Sequence, residues 1–551
     1  MFLTKKAFLL KKKDFTKDEL EKIKKDLIVK PLDKSNYGPP PEEFSVYDEN
    51  DEFLYTPKYY GKEKFKNKKY TDKTKTKTKS KKNTDNTDNI IDIQFQGELR
   101  VGKMRKTQTE IVNIVLKGIK EKGGGLLSVP PGSGKTVLAL YIACQLKLKT
   151  LVIVHKSFLV KQWIERIEKF TNARIGTIRQ KKIKTDNKDI VVGMLQSIAM
   201  IEYDLDVFDQ FDLVIVDECH RSSSRIFSQA LPKISTKYTL GLSATPIRPD
   251  GLTKVFKWYL GDFLYREAPK PNNQVIINNY KFYSDSKFFQ EKLMYNKFQH
   301  KRTVNIAKMV NNVVLHPERN KFIVSILKSL AGEGRKILVI SERLSHLKEL
   351  KEEIDESANN TWGTGYYVGG MKDKDLKETE DKDIIFATIQ MASEGLDIEA
   401  LDTLVLTTSI GGKNRIEQTM GRILRKDKFY DIRPVIVDIA DQFSIFEAHA
   451  ERRMTFYKQN KYQIKIAEVN DGKFEDGELF KNNLNEADEA NAEAEADADA
   501  DADADTDDGF NNRLNNMDEI DEDECYLDDS DDDDDANHES AKTHNIKSSR
   551  P

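Results

Sequence analysis

Eleven residues, LLSVPPGSGKT, restrict what this chain can fold into more than any other stretch. Leu126 to Val129 form a short strand-like run, two glycines interrupt it, and TVLALYIACQL continues as a helix. A glycine-rich turn between strand and helix aims backbone N–H groups and the positive helix end at one point, where phosphate binds. Gly132, Ser133 and Gly134 are therefore expected to cradle phosphates, Lys135 to pair with the β and γ phosphates, and Thr136 to ligate magnesium through its hydroxyl. Val129 stands where this pattern usually has glycine. That departure removes one flexible position and no phosphate ligand.

The rest of the pattern agrees with such a junction. LLSV (126–129), LVIV (151–154), IVVGML (190–195), LVIV (213–216) and TLGLS (239–243) are continuous apolar runs separated by amphipathic helices. A second set follows: ILVI (337–340), YYV (366–368), IIFAT (384–388), TLVL (403–406) and VIVDI (435–439). Strands apolar on both faces, alternating with helices, indicate parallel sheets covered on both sides. The expected fold is α/β, with two doubly wound parallel-sheet domains.

At 551 residues the chain exceeds one core. Residues 1–66 read as an accessory domain, with a helix in FTKDELEKIKKDL opened by a Thr16/Glu19 capping box. A basic low-complexity linker follows at 67–90, then a nucleotide-binding domain at 91–262, a connecting segment at 263–312 and a second domain at 313–466. The remainder, 467–551, reads as a disordered acidic tail. Residues 471–551 hold 30 Asp and Glu against 6 Lys and Arg, a charge of −24, which leaves +21 for the body. A basic body suggests a polyanionic partner, and the tail is a candidate competitor for it. In LYTPKYYGKEKF, aromatics alternate with lysines, which suits base stacking or the core of a small domain. KTKTKTKSKK either binds nucleic acid without sequence preference or stays solvated.

No apolar run is long enough to span a membrane, and three scattered cysteines exclude a disulfide framework. The expected location is intracellular.

FDLVIVDECH (211–220) ends in two acids, a thiol and an imidazole. A metal cluster needs further ligands at suitable spacing, and none stands near. Acids at the carboxyl end of a strand, about eighty residues after a phosphate loop, fit an ATPase instead. Asp217 is then the magnesium ligand and Glu218 the base for the attacking water. Cys219 is a packing residue, and His220 a sensor near the nucleotide or the cleft.

The phosphate loop, DECH, LGLSATP (240–246) and QTMGRILRK (418–426), in this order, resemble the superfamily-2 helicases, whose ATP sits between two RecA-like domains. The resemblance spans about residues 99 to 445. Through it MRKTQ gives Gln108 the adenine edge, with Arg105 supporting. VHKSFLVKQW offers Lys156 to the nucleic-acid backbone, and GMLQSI offers Gln196 and Ser197. Ser243, Ala244 and Thr245 resemble the segment coupling ATP state to strand grip, a role shared with His220 and Gln418. In the second domain ISERLSHL offers Ser341 and Arg343 to the strand. ATIQMASEGLD offers Thr388 to the strand, with Gly395 and Asp397 toward the nucleotide or the cleft. Arg422 and Arg425 would reach the γ-phosphate, Arg425 as the arginine finger.

DECH in place of DEAD, and Gln418 where DEAD-box proteins have histidine, separate this chain from those RNA helicases. It is closer to XPB-like and UvsW-like DNA helicases, and closest to the poxvirus-type late-transcription and transcript-release helicases of large DNA viruses. VKPLDKSNYGPPPEEF and the segment after it resemble that group's N-terminal extension. The resemblance implies an ATP- and Mg2+-dependent helicase or translocase on DNA, in viral transcription, replication or repair. The location would be cytoplasmic, in the viral factory, with packaging in the virion a further option. The transcription machinery is a candidate partner. An RNA helicase, a duplex translocase that separates no strands, and a scaffold with a decayed ATPase are the alternatives.

Overall fold

A computed structural model describes residues 1–32, 41–74, 91–99, 106–130, 132–204, 206–220, 224–244, 248, 250–267, 275–296, 300–357, 361–394, 398, 400–411, 416, 419–421 and 433–474. Most of the basic run and the acidic tail from residue 475 lie outside them.

The first large sheet has eight strands, in the order Lys182–Lys184, Ile175–Arg179, Ile190–Met194, Thr150–Val154, Leu213–Val216, Tyr238–Ser243, Gly124–Ser128 and Phe263–Arg266. All neighbours run parallel except the first pair. The central strands are buried throughout, because helices such as Lys135–Leu146 and Ser157–Phe170 cover them. The strand ending at Ser243 lies between the strand feeding the phosphate loop and the strand feeding DECH. Three motifs far apart in sequence therefore leave the sheet side by side at its carboxyl edge, where open α/β sheets bind ligands.

The second sheet is also eight-stranded: Thr364–Tyr367, Ile384–Thr388, Ile337–Ser341, Thr403–Leu406, Val435–Asp441, Ile276–Tyr283, Gln463–Asn470 and Lys473–Phe474. Only its last pair is antiparallel. The expected architecture of two doubly wound parallel sheets is present.

Segment 263–312 differs from the expected connection. Phe263–Arg266 closes the first sheet, and Ile276–Tyr283 is an inner strand of the second. That strand escapes sequence reading because IINNYKFY carries polar residues where inner strands are usually apolar. Buried Asn279 is matched by Asp438 of the neighbouring strand, with Nδ2 donating to Oδ2 at 3.2 Å. Gln463–Asn470 likewise carries the second sheet past the expected domain end at 466.

The N-terminal residues form a five-stranded sheet in the order Asp48–Glu49, Phe53–Thr56, Phe8–Lys11, Phe2–Leu3 and Thr71–Asp72. The last strand lies beyond the expected boundary at 66. Thr16 caps the helix Lys17–Asp26 in the capping box anticipated. This sheet shares one hydrophobic core with the first large domain. Tyr60 meets Trp258 edge to face at 5.3 Å, Lys5 pairs with Asp212 at 2.7 Å, and buried Lys58 donates to the Thr236 carbonyl at 3.0 Å. Asp212, Thr236 and Thr239 mark the amino ends of their strands, so the N-terminal unit docks opposite the carboxyl edge. For LYTPKYYGKEKF this decides between base stacking and packing: Leu54, Thr56, Lys58 and Tyr60 are buried, and the Tyr59 hydroxyl bonds Thr239 Oγ1 at 3.0 Å.

No helix among the described residues is long and apolar enough to cross a membrane.

Candidate functional site

The phosphate loop turns because Gly132 and Gly134 adopt φ of +77° and +82°. A side chain at 134 would be strained, and its Cβ would lie 2.9 Å from Gln108 Nε2. That Gln108 nitrogen donates to the Ser133 carbonyl at 2.9 Å, which joins the adenine-motif residue to the loop. Thr107 and Glu110 form the capping box that starts the helix Gln108–Lys122. Lys135 and Thr136 open the helix Lys135–Leu146. Val129 is fully buried, and its N–H reaches the Ser243 carbonyl at 3.3 Å.

The DECH turn lies between two strand ends. Asp217 N–H donates to the Ile153 carbonyl at 3.0 Å and Cys219 N–H to the Leu242 carbonyl at 3.1 Å. Glu218 takes a left-handed backbone, φ +44°, which strains a non-glycine residue and is common at functional sites. Lys135 Nζ donates to Glu218 Oε1 at 2.6 Å. Asp217 is buried, with Oδ1 accepting from the Glu218 N–H at 3.0 Å and Oδ2 from Trp163 Nε1–H at 2.8 Å. Burial, reinforced by the neighbouring Glu218 charge, pushes the Asp217 carboxyl up to about 6. Burial likewise raises the Cys219 thiol, in keeping with a packing role. His220 Nδ1 shares a hydrogen bond of 2.9 Å with Ser243 Oγ and lies 3.4 Å from Glu218 Oε2. Arg248 donates to the His220 carbonyl at 2.5 Å and pairs with Asp250.

A buried carboxylate next to a second one favours a nearby cation, and the Thr136 hydroxyl adds a second hard oxygen. These donors fit magnesium, which binds through few protein groups and keeps substrate and water oxygens. No group of three or more His, Cys, Asp or Glu among the described residues is arranged to hold a metal by itself.

The strand-contact candidates divide. Gln196 Nε2 donates to the His155 carbonyl at 2.7 Å, which brings the GMLQSI and VHKS segments together beside Lys156. Ser197 is buried and accepts from the Gln180 N–H at 2.9 Å. Ser341 is fully buried, bonded to His346 Nδ1 at 3.1 Å and accepting from the Arg343 N–H at 3.1 Å. Both hydroxyls are buried and engaged in hydrogen bonds within their own domains. Arg343 stays partly exposed, held by Asn311 Oδ1 at 2.6 Å. Thr388 ends its strand opposite Ser341, and Ala244 follows Ser243 at the edge of the first sheet. Arg105, Thr245, Gly395, Asp397, Gln418, Arg422 and Arg425 lie outside the described residues.

Two features were missed in the sequence. Trp163, buried in the helix Ser157–Phe170 that covers the first sheet, is also the donor that orients Asp217. The only available signal was that a buried indole N–H requires an acceptor. The second is the clamp on Thr407–Gly411, the segment after the strand Thr403–Leu406. Arg453 donates to the Ile410 carbonyl at 3.0 Å and to Asp438 at 2.9 Å, and His449 Nδ1 bonds Ser409 Oγ at 2.9 Å.

Residues 102–248 match the family model of the type III restriction enzyme res subunit. A protein of Acanthamoeba polyphaga mimivirus, named as an ATP-dependent RNA helicase (L396), is 36% identical over 468 residues, covering 84% of this chain and 86% of that protein. Helicase 161L of Invertebrate iridescent virus 6 is 28% identical over 396 residues, covering 67% and 83%. The crystal structure of T4 UvsW aligns over 83% of this chain and 96% of that one at 18% identity, with a TM-score of 0.33. Since the identity to the mimivirus protein holds along more than four-fifths of both chains, this protein belongs to the superfamily-2 helicases of the large DNA viruses.

Proposed function

We propose that this ATP-dependent helicase acts on DNA, separating strands during transcription, replication or repair of a large DNA virus. The observation that carries the ATPase part is the cluster at the first carboxyl edge: Lys135 on Glu218, Asp217 on Trp163, and Ser243 on His220. In this reading Lys135 neutralises phosphate charge, and Glu218 orients water and takes its proton. Asp217 and Thr136 hold Mg2+, which supplies charge neutralisation at the phosphates. Arg425 acts as the finger and Arg422 supports it. Ser243, linked to both the phosphate loop and His220, couples the nucleotide to the strand. Lys156, Gln196, Arg343 and Thr388 form the strand track, with Ser197 and Ser341 supporting it from inside. The accessory unit, residues 1–66 in the sequence reading, serves as a fixed back-plate of the first domain. The transcription machinery is the proposed protein partner and the viral factory the proposed location.

DNA is favoured by DECH and Gln418, which depart from the DEAD-box RNA pattern. RNA is the second reading, because the mimivirus relative is named as an RNA helicase. The test is the steady-state ATPase rate of the full chain with single-stranded DNA, duplex DNA, forked DNA and RNA at one salt concentration. Stimulation mainly by DNA is expected, and stimulation mainly by RNA transfers the protein to RNA remodelling.

A further inference from the structure

We propose that the hairpin Leu293–Asn296/Lys301–Val304 is a DNA-junction contact that wedges the strands apart. This rests on the reading of the chain as a DNA helicase. The two strands pair antiparallel, Leu293 with Val304 and Tyr295 with Arg302, and among the described residues they form a two-stranded sheet of their own.

Three consecutive large apolar residues are solvent-exposed here: Leu293 at 51%, Met294 at 38% and Tyr295 at 57%. Such a run on a water-facing ribbon contributes nothing to the core and marks a contact surface. The occupant is indicated by charge. By sequence, residues 291–304 hold four cationic side chains, Lys292, Lys297, Lys301 and Arg302, against one carboxylate, Glu291, which accepts from Ser444 Oγ at 2.5 Å. Tyr295 and Arg302 lie directly opposite each other, so one face offers a ring for a base and a cation for phosphate. Leu293 and Met294 are of the type that inserts between base steps.

The root of the hairpin is continuous with the strand track. It follows the strand Ile276–Tyr283, whose end lies at the carboxyl edge of the second sheet. Its base is closed by Asn305 N–H on the Lys292 carbonyl at 2.7 Å and by Phe289 against Phe443 at 4.7 Å. Asn305 then caps the helix Ile306–Val313, whose Asn311 and Ala307 carbonyl hold the Arg343 guanidinium. The exposed ribbon and the partly exposed arginine thus share one support.

The test compares the full chain with Met294→Ser/Tyr295→Ser and with Arg302→Ala, substitutions at exposed positions. Strand separation on a forked DNA is expected to fall tenfold or more, while ATPase stimulated by single-stranded DNA falls less than threefold. Unchanged separation, or parallel loss of both activities, overturns the inference. So does a variant whose sole change is weaker self-association in sedimentation, because the ribbon would then be a contact between copies. Wild-type ATPase indifferent to DNA removes the functional reading and the hairpin inference together. Stimulated wild type with indifferent variants removes the hairpin inference alone.

Discussion

Lys135 Nζ and Glu218 Oε1 stand 2.6 Å apart, so the phosphate loop and the DECH turn are linked through the two side chains expected to act on the γ-phosphate. The pair joins residues 83 positions apart, and Glu218 reaches it from a strained left-handed backbone.

Removing either member should have different effects. Lys135→Ala loses the phosphate partner and leaves two neighbouring carboxylates without their cation, so ATP affinity and turnover both fall. Glu218→Gln preserves shape and should lower turnover about 10²- to 10⁴-fold, the range of a positioned general base. ATP binding is retained in that variant. Nucleotide titration combined with single-turnover hydrolysis separates the two outcomes, and equal loss of affinity contradicts these roles.

Asp217 should set the acid limb of the ATPase profile. Burial holds its carboxyl at about 6, so activity that needs the ionised form declines as pH falls through that value. The indole hydrogen bond from Trp163 lowers this pKa, so Trp163→Phe should move the limb to higher pH. For stability the sign is opposite. A carboxyl whose folded pKa exceeds its unfolded 3.8 favours the fold while protonated, and this contribution is lost as pH rises from about 3.8 through 6. A pH series of kcat/KM for both proteins checks the first claim.

Lys58 offers a second linkage. Burial between the N-terminal unit and the first domain pushes its ammonium down to about 7 from 10.5. The unfolded chain then binds the extra proton between those values, so stability rises with pH across that window. Lys58→Met should flatten the rise. Tm measured from pH 7 to 10 in the two proteins reads the difference directly, and identical slopes would remove Lys58 as its source.

Asp438 should be intolerant of truncation. It accepts from Arg453 at 2.9 Å and Tyr457 at 2.9 Å, and both Asp438 and Arg453 are essentially inaccessible. Asp438→Ala leaves a buried guanidinium uncompensated, a loss of about 3–5 kcal/mol. Urea unfolding measures it, and a change below about 1 kcal/mol would show that water or a rearranged side chain replaces the carboxylate.

Local pattern determined much of this protein. The apolar strands of both sheets, the Thr16 and glycine-loop turns and the Asp217–Glu218 pair were legible, because each depends on propensity and spacing within about ten residues. Tertiary structure decided the rest. Ile276–Tyr283 became an inner strand because Asp438, 159 residues away, satisfies Asn279. Ser197 and Ser341 turned inward because Gln180 and His346 supply partners there. Trp163 joined the site because Asp217 lies within reach of its indole, and Tyr59 and Tyr60 became packing residues because the first domain covers them. A polar or aromatic side chain goes where its hydrogen bonds and apolar area are satisfied, and in these cases the partners lie in distant sequence that only the fold brings close.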